Sequence, residues 1–166
     1  GLATAWMAAS PVIAISGLYD LSLTGRGAFQ EIDQLNIVRP ITKWSSVVSD
    51  PLLLPWAVSS AYREAISGRP GPVHLSIPAS VSDALIEENA IEIPAPFQPA
   101  ARSVPRELIE SALDRLRKAK RPVVIAGSGV FWAQASDVLR QFVEMSQIPC
   151  FTIGLGRGAL SDEHPL

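Results

Sequence analysis

This sequence has a single cysteine, a small net charge and no long apolar run. Cys150 is the only cysteine among 166 residues, so no disulfide forms within the chain, and a reducing compartment is favoured. The net charge of −2 gives no field that would attract nucleic acid or an anionic membrane. Because no run approaches the roughly 20 apolar residues of a membrane span, we expect a cytoplasmic protein without nucleic-acid or membrane partners.

The sequence also lacks clustered metal ligands and a residue that would cap the helix predicted at its start. No group of carboxylates beside a glycine-rich anion loop suits a metal ion, so no residue is assigned to a metal. The chain starts at Gly1, without methionine, in the apolar run LATAWMAAS. A natural terminus seldom opens on an uncapped apolar helix, so we expect a piece of a longer protein.

Short β-branched runs alternate with helical patterns along the chain. Strands are predicted at 12–16, 41–48, 73–78, 122–126 and 148–153, and helices at 2–10, 51–67, 106–120 and 132–146. Asp50 and Pro51 give the second helix a capped start, and Gly68 gives it a stop. The strands VIAIS, VHLSIP and PVVIA are expected to be buried, as is the stripe of Leu108, Ile109, Ala112, Leu113 and Leu116. This order predicts right-handed crossovers and parallel sheets.

A proline-rich segment separates two such regions. Pro94, Pro96, Pro99 and Pro105 fall within twelve residues that carry few large apolar groups. Such a segment cannot pack as a helix or an inner strand. The fold class is therefore α/β, with two incomplete parallel-sheet layers, residues 1–88 and 105–166, joined by a linker at 89–104.

The stretch from Gly25 to Trp44, GRGAFQEIDQLNIVRPITKW, carries more polar groups than a packing element needs. We expect a short helix to start at Phe29, Gln30 and Glu31, with one apolar face. That face is formed by Phe29, Ile32, Leu35 and Ile37. Loops and helix starts on a rigid sheet are where binding groups usually lie.

This stretch, followed by SGRPGPVHLSIP and KRPVVIAGSGV, resembles the acetolactate synthase group of thiamine-diphosphate-dependent enzymes. The group includes the glyoxylate carboligase, oxalyl-CoA decarboxylase, 2-hydroxyacyl-CoA lyase and benzaldehyde lyase types. The resemblance covers nearly the whole chain in the family's order. It implies that 1–88 is the later part of the pyrimidine-binding domain. It also implies that 105–166 is the start of the central domain.

The resemblance also implies roles for individual residues. Phe29 and Gln30 match a family motif beside the reactive part of the cofactor, where a neutral amide can bond a substrate carbonyl or carboxylate. Arg69 matches an arginine that contacts the nucleotide of a second cofactor, FAD, ADP or CoA. The turn at Gly127, Ser128 and Gly129 lies along the edge where the family binds that nucleotide, and its amides could face an anion.

Each of these residues also has a purely structural interpretation. Phe29 and Gln30 could cap a helix and pack in the core. Arg69 could be a surface arginine beside the helix dipole of 51–67. The 127–129 turn could hold no ligand, since Trp132 stands where a dinucleotide fingerprint has glycine. Lys43 is expected to pack its stem on Trp44 with a solvated head.

Cys150 is expected to be a buried, inert thiol, and His74 a packed or hydrogen-bonded histidine without a catalytic role. Two differences from the biosynthetic acetolactate synthases favour a catabolic or uncharacterised relative. Ala79 replaces a family lysine, and GRGAFQE replaces GTDAFQE.

The resemblance implies an enzyme that acts on 2-keto acids or 2-hydroxyacyl substrates through an enamine held on thiamine diphosphate. Mg²⁺ and possible FAD or ADP would be further cofactors, and a homodimer or homotetramer is implied. The family's catalytic glutamate and its GDG metal motif are missing here, so this chain alone is expected to be inactive. The alternative is a non-catalytic α/β module that binds a nucleotide or forms a subunit interface.

Overall fold

The computed structural model describes residues 1–99 and 103–166. They form two compact units, and the described residues of these units are 1–99 and 103–166. In the first unit the helices are α1 Leu2–Met7, α2 Gln34–Val38, α3 Leu54–Ile66 and α4 Ala79–Ser82, and the strands are β1 Ile13–Leu18, β2 Trp44–Val47 and β3 Val73–Pro78. In the second unit the helices are α5 Arg106–Lys118, α6 Ser128–Trp132 and α7 Ser136–Ser146, and the strands are β4 Val124–Ala126 and β5 Cys150–Thr152.

The first unit is built on a parallel sheet in the order β1-β3-β2. Val73 at the start of β3 pairs with Ile13 of β1 on one side and with Trp44 of β2 on the other. The second unit contains a parallel pair, β4 and β5. The predicted α/β class with parallel sheets is therefore confirmed.

The two faces of the central strand β3 differ in what they contact. Val73 and Leu75 are fully buried and belong to a core that includes Ala61 and Ala65 of α3. The predicted cap at Asp50 is confirmed, since its carboxylate accepts the Leu52 N–H, but it caps the 3₁₀ turn Pro51–Leu53, and α3 itself begins after that turn, at Leu54. Side chains at alternate positions of a strand point to opposite faces, so α3 covers one face of β3 and the other face is left for polar residues.

The expectation that VIAIS is buried on both faces is wrong. Strand β1 lies at an edge of the sheet among the described residues, and Ile15 is 59% exposed. The strand also extends through Gly17 to Leu18. A continuous β-branched run identifies a strand but does not distinguish a central position from an edge position.

The predicted helix at 132–146 begins four residues later than expected, and a separate short helix precedes it. Helix α6 ends at Trp132, α7 begins at Ser136, and Gln134 between them has a φ of +50°. A left-handed residue cannot continue a right-handed helix, so the chain turns there. The sequence contains no glycine or proline at this point to indicate the break.

The predicted buried stripe on α5 is also wrong. The helix runs over Arg106–Lys118, close to the expected range, but none of its residues is buried and Leu108 is 62% exposed. Ile125 of β4 is exposed as well, whereas Ala126 is buried. A sheet of two three-residue strands offers little surface for a helix to pack against. The apolar side chains of α5 therefore stay exposed although their spacing is that of an amphipathic helix.

Little regular structure occurs in the predicted linker, residues 89–104. The 3₁₀ turn Glu88–Ala90 overlaps its start, and residues 91–99 and 103–104 form no helix or strand. Residues 100–102 of the linker lie outside the described residues. Across residues 1–99 and 103–166, none of the helices is both long and apolar enough to cross a bilayer.

Candidate functional site

The three strands of the first unit are parallel, so their C-terminal ends lie side by side at one end of the sheet. β1 ends at Leu18, β2 at Val47 and β3 at Pro78. In open α/β sheets ligands bind at this end. The chain that follows β1 forms a cleft here, which we call the polar cleft. It is lined by Ser16, Gly17, Ala28, Gln30, Glu31, Ile32 and Gln34.

Glu31 fixes the glycine loop that borders the polar cleft. Its carboxylate accepts the backbone N–H groups of Gly25, Gly27 at 2.8 Å and Ala28 at 3.1 Å. Gly25 and Gly27 have positive φ angles, +78° and +68°, which glycine adopts without strain. The Gly25 N–H contributes most to holding the pKa of the Glu31 carboxyl below its ordinary value. The loop is therefore organised around one ionised side chain.

Phe29 and Gln30 do not start a helix, contrary to expectation. They lie in a turn, where Gln30 has a φ of +64° and Phe29 is 88% exposed. Helix α2 begins five residues after Phe29, because the Asp33 carboxylate caps it by accepting the Asn36 N–H at 3.0 Å.

The apolar face predicted for this stretch does not form a core. Ile32 and Ile37 are exposed, like Phe29, and Leu35 is only half-buried. Core packing of Phe29 and Gln30, their structural interpretation, therefore does not describe this loop. Both side chains are displayed rather than buried, and Gln30 borders the polar cleft.

Four polar side chains meet beneath the cleft on the face of the sheet opposite α3. The Gln34 Oε1 atom accepts the hydroxyl groups of Ser16 and Ser76, each at 2.7 Å. The Gln34 Nε2 atom donates to the Gly17 carbonyl oxygen at 2.8 Å. The Ser16 hydroxyl also lies 2.8 Å from the Nε2 atom of His74. We call Ser16, Gln34, His74 and Ser76 the polar network.

His74 and Ser76 form the buried part of this network. His74 is 4% exposed and Ser76 is fully buried. Burial lowers the pKa of His74 below its ordinary value, because the imidazolium would lose its hydration. The expectation that His74 is packed and hydrogen-bonded agrees with this placement.

Sequence reasoning did not single out Gln34 or the network. The signal was present in β3, where His74 and Ser76 occupy alternate positions of an otherwise apolar, buried strand. Polar residues two apart on such a strand share one face and need partners there. Those partners are supplied by Ser16 of β1 and by Gln34, which is 42 residues before Ser76.

Arg69 lies near the opposite end of the sheet, shortly before β3 begins. Its Nη2 atom donates to the Met7 carbonyl oxygen at 3.1 Å, and the guanidinium carbon lies 5.9 Å from the centroid of the Trp6 ring. Arg69 thus contacts the C-terminal end of α1 while remaining exposed. Within the first unit it is not brought together with Phe29 and Gln30.

Lys43, rather than Arg69, meets the C-terminal carbonyl groups of α3. Its Nζ atom donates to the carbonyl oxygens of Glu64 and Ser67. The predicted solvated head of Lys43 is therefore wrong. A helix C-terminus attracts a cation because its last carbonyl groups lack helical partners.

The strand-to-helix turn expected at Gly127, Ser128 and Gly129 in the second unit is shorter than expected, because Gly127 alone lies between β4 and α6 and the other two residues begin α6. Gly127 precedes α6, which spans only five residues, Ser128–Trp132. Gly156 packs against this turn, and a Cβ atom there would lie 2.4 Å from the Ala126 carbonyl oxygen. Glycine at 156 is therefore required for the close approach of two backbone segments.

The other candidate groups have little reactive character. Cys150 is half-buried rather than fully buried, and burial raises the pKa of its thiol, which favours the unreactive protonated form. In the part of the chain that the structure describes, no three His, Cys, Asp or Glu residues are grouped so that they could bind a metal ion.

The chain is similar to one family model over part of its length and to several known proteins over nearly all of it. Residues 109–166 match the family model of the thiamine pyrophosphate enzyme central domain. The chain is 37% identical to a probable acetolactate synthase large subunit of Methanocaldococcus jannaschii, over 100% of the chain and 29% of that protein. It is 38% identical to a 2-hydroxyacyl-CoA lyase of Arabidopsis thaliana and 37% identical to an oxalyl-CoA decarboxylase of Escherichia coli, in each case over 99% of the chain and 30% of the relative. The chain thus spans less than a third of the length of these relatives.

We predict that the glycine loop loosens when Glu31 is neutralised. The pKa of Glu31 is lowered by folding, so its contribution is present above the ordinary value of 4.5 and is lost as the pH falls through the lower, folded-state pKa. Hydrogen exchange should show that the Gly25 and Gly27 amides are protected at neutral pH and lose protection in acid. In Glu31→Gln they should be less protected at neutral pH.

The exposed Glu107→Gln on α5 is the matched control and should leave the exchange of these amides unchanged. If Glu31→Gln keeps the protection of the unchanged protein, the carboxylate does not organise the loop.

Proposed function

We propose that this chain is part of a thiamine-diphosphate-dependent enzyme of the acetolactate synthase-like group, which forms or breaks a carbon–carbon bond next to a carbonyl group. The substrate class is a 2-keto acid or a 2-hydroxyacyl thioester. The observation that carries this proposal is the similarity, along essentially the whole chain, to a synthase, a lyase and a decarboxylase.

In this proposal residues 1–88 belong to the pyrimidine-binding domain and 105–166 to the central domain. The match of 109–166 to the central-domain model supports the second assignment. The division of the chain into compact units at residues 99 and 100 supports a boundary near the proposed linker, 89–104.

The residues at and beside the polar cleft fit the aminopyrimidine–thiazolium end of thiamine diphosphate and a small carbonyl substrate. Phe29 offers an exposed aromatic face, and Gln30 offers a neutral carboxamide at the cleft. When bound, the cofactor supplies a thiazolium carbon that stabilises a developing carbanion. Gln30 then donates an N–H to the substrate carbonyl or carboxylate oxygen, and Phe29 excludes water from the reacting carbon.

The described residues do not fit the charged end of the cofactor, since they include no metal-binding group of acidic side chains. Our proposal therefore assigns Mg²⁺ and the diphosphate to residues outside this chain. A homodimer or homotetramer, in which another subunit supplies those residues, is part of the same proposal.

Arg69, in the first unit, is proposed to bind a phosphate of FAD or ADP. Gly127, Ser128 and Gly129, in the second unit, are separately proposed to bind the nucleotide part of such a cofactor. One N–H of the guanidinium is engaged by the Met7 carbonyl oxygen, and the side chain is exposed. A guanidinium carries five N–H donors, so others remain to bind a phosphate.

Replacing Gln30 should impair turnover but not cofactor binding. In the protein at its full natural length, Gln30→Ala is expected to lower kcat/KM for pyruvate, oxalyl-CoA or a 2-hydroxyacyl-CoA, whichever is turned over, by roughly tenfold or more, because a donor to the substrate oxygen is lost. Thiamine diphosphate affinity, measured by calorimetry, should stay within about twofold.

Gln30→Gly provides a second variant, because glycine suits the left-handed backbone at this position. It should lose as much activity as Gln30→Ala while unfolding at the same temperature or higher. Gln141→Ala, an exposed glutamine on α7, is the control. The proposed function is excluded if the unchanged protein neither binds thiamine diphosphate nor turns over any of these substrates.

Replacing Arg69 should weaken nucleotide binding. Calorimetry with ADP and with FAD is expected to show a loss of roughly tenfold in affinity for Arg69→Ala and a smaller loss for Arg69→Lys, since lysine keeps the charge but not the planar fork.

Trp6→Ala separates nucleotide binding from the contact between Arg69 and α1. It removes the aromatic partner of Arg69 and leaves the guanidinium in place. Unchanged affinity in Arg69→Ala would remove this residue from the nucleotide site.

A further inference from the structure

The polar network determines the orientation of the Gln34 carboxamide. A backbone carbonyl oxygen only accepts hydrogen bonds, so the atom that faces the Gly17 carbonyl must be the amide nitrogen of Gln34. The Oε1 atom then faces Ser16 and Ser76, whose hydroxyl groups can both donate to it. Three hydrogen bonds thus hold this side chain in one orientation.

The same network determines the tautomer of His74. The single hydroxyl proton of Ser16 is directed to Gln34, so the 2.8 Å contact with His74 requires the imidazole Nε2–H to donate. The Nδ1 atom then carries the free lone pair, and within residues 1–99 and 103–166 this buried atom has no hydrogen-bond partner. Proton donation runs in one direction, from His74 through Ser16 to Gln34.

One donor of the oriented carboxamide remains for a ligand. Within the described residues Gln34 Nε2 donates to a single acceptor, the Gly17 carbonyl oxygen, and an amide nitrogen carries two N–H groups. Gln34 is half-buried and lines the polar cleft together with Gln30. It also lines the neighbouring cleft, where Ser76 forms part of the wall.

We propose that Gln34 is a substrate-binding residue, which donates its second Nε2–H to a carbonyl or carboxylate oxygen of the ligand in the polar cleft. Ser16, Ser76 and His74 are positioning residues that act through Gln34. This inference rests on the proposed function, which supplies the substrate class, and adds a second neutral amide to Gln30. Two amides can bind the oxygens of an anionic 2-keto acid without introducing a competing nucleophile.

The test uses the full-length protein with thiamine diphosphate and three probes: pyruvate, oxalyl-CoA and a 2-hydroxyacyl-CoA. With the probe that is turned over, Gln34→Met should raise KM about tenfold, the size of one lost hydrogen bond to a charged group, and change kcat less than about threefold. Methionine has a similar length and no donor. Gln141→Met, on the exposed face of α7, is the matched control and should leave KM unchanged.

Ser76→Ala keeps the test decisive if Gln34→Met does not fold. It leaves the Gln34 donor in place but removes one of the three bonds that orient it, so KM should rise by a smaller factor, about threefold. Where both variants fold, the double variant should have the KM of Gln34→Met alone, because Ser76 acts only through Gln34.

The outcomes separate the two hypotheses. If none of the three probes is turned over by the unchanged protein, this inference fails, and the proposed function fails with it when thiamine diphosphate is not bound either. If a probe is turned over and KM is unaffected by Gln34→Met, or by Ser76→Ala where the methionine variant does not fold, only this inference fails. An elevated KM with an unchanged unfolding midpoint supports it.

Discussion

The pairing of β3 with a neighbour on each side is the constraint on which the first unit depends. Once Val73–Pro78 lies between β1 and β2, its side chains must alternate between two faces. Val73 and Leu75 enter the core beneath α3, and His74 and Ser76 are carried to the opposite face. Buried polar groups require partners, so that face has to be completed by Ser16 and Gln34.

The polar face ends at the edge of the sheet where the glycine loop begins. Glu31 holds that loop through backbone amides, and Gln34 connects its C-terminal part to the strands. The backbone that carries Phe29 and Gln30 is therefore held in place by hydrogen bonds, although neither side chain is buried. Loops on a rigid scaffold can present reactive or binding groups that lose little conformational freedom when a ligand binds. This arrangement suits the orienting role that we propose for an enzyme whose cofactor carries the chemistry.

Local signals in the sequence predicted those parts of the fold that local chemistry determines. The cap at Asp50, the stop at Gly68 and the buried run at Val73–Pro78 were read correctly, as was the resemblance to the thiamine-dependent family. The parts of the fold that depend on residues distant in the sequence were not predicted. Exposure of Ile15 follows from an edge position, and the role of Gln34 follows from Ser76, to which only the folded sheet brings it close. The helix expected at Phe29 failed because the carboxylate of Glu31 draws the loop amides to itself.

The protonation of the polar network can be measured directly. Nitrogen-15 NMR of the histidine side chains should show His74 as a neutral imidazole with the proton on Nε2, and it should remain neutral below the ordinary histidine pKa of 6.5 because burial lowers its pKa. The direction of proton donation in the network, from His74 through Ser16 to Gln34, requires that tautomer. A proton on Nδ1, or protonation of His74 at or above pH 6.5, would contradict the account.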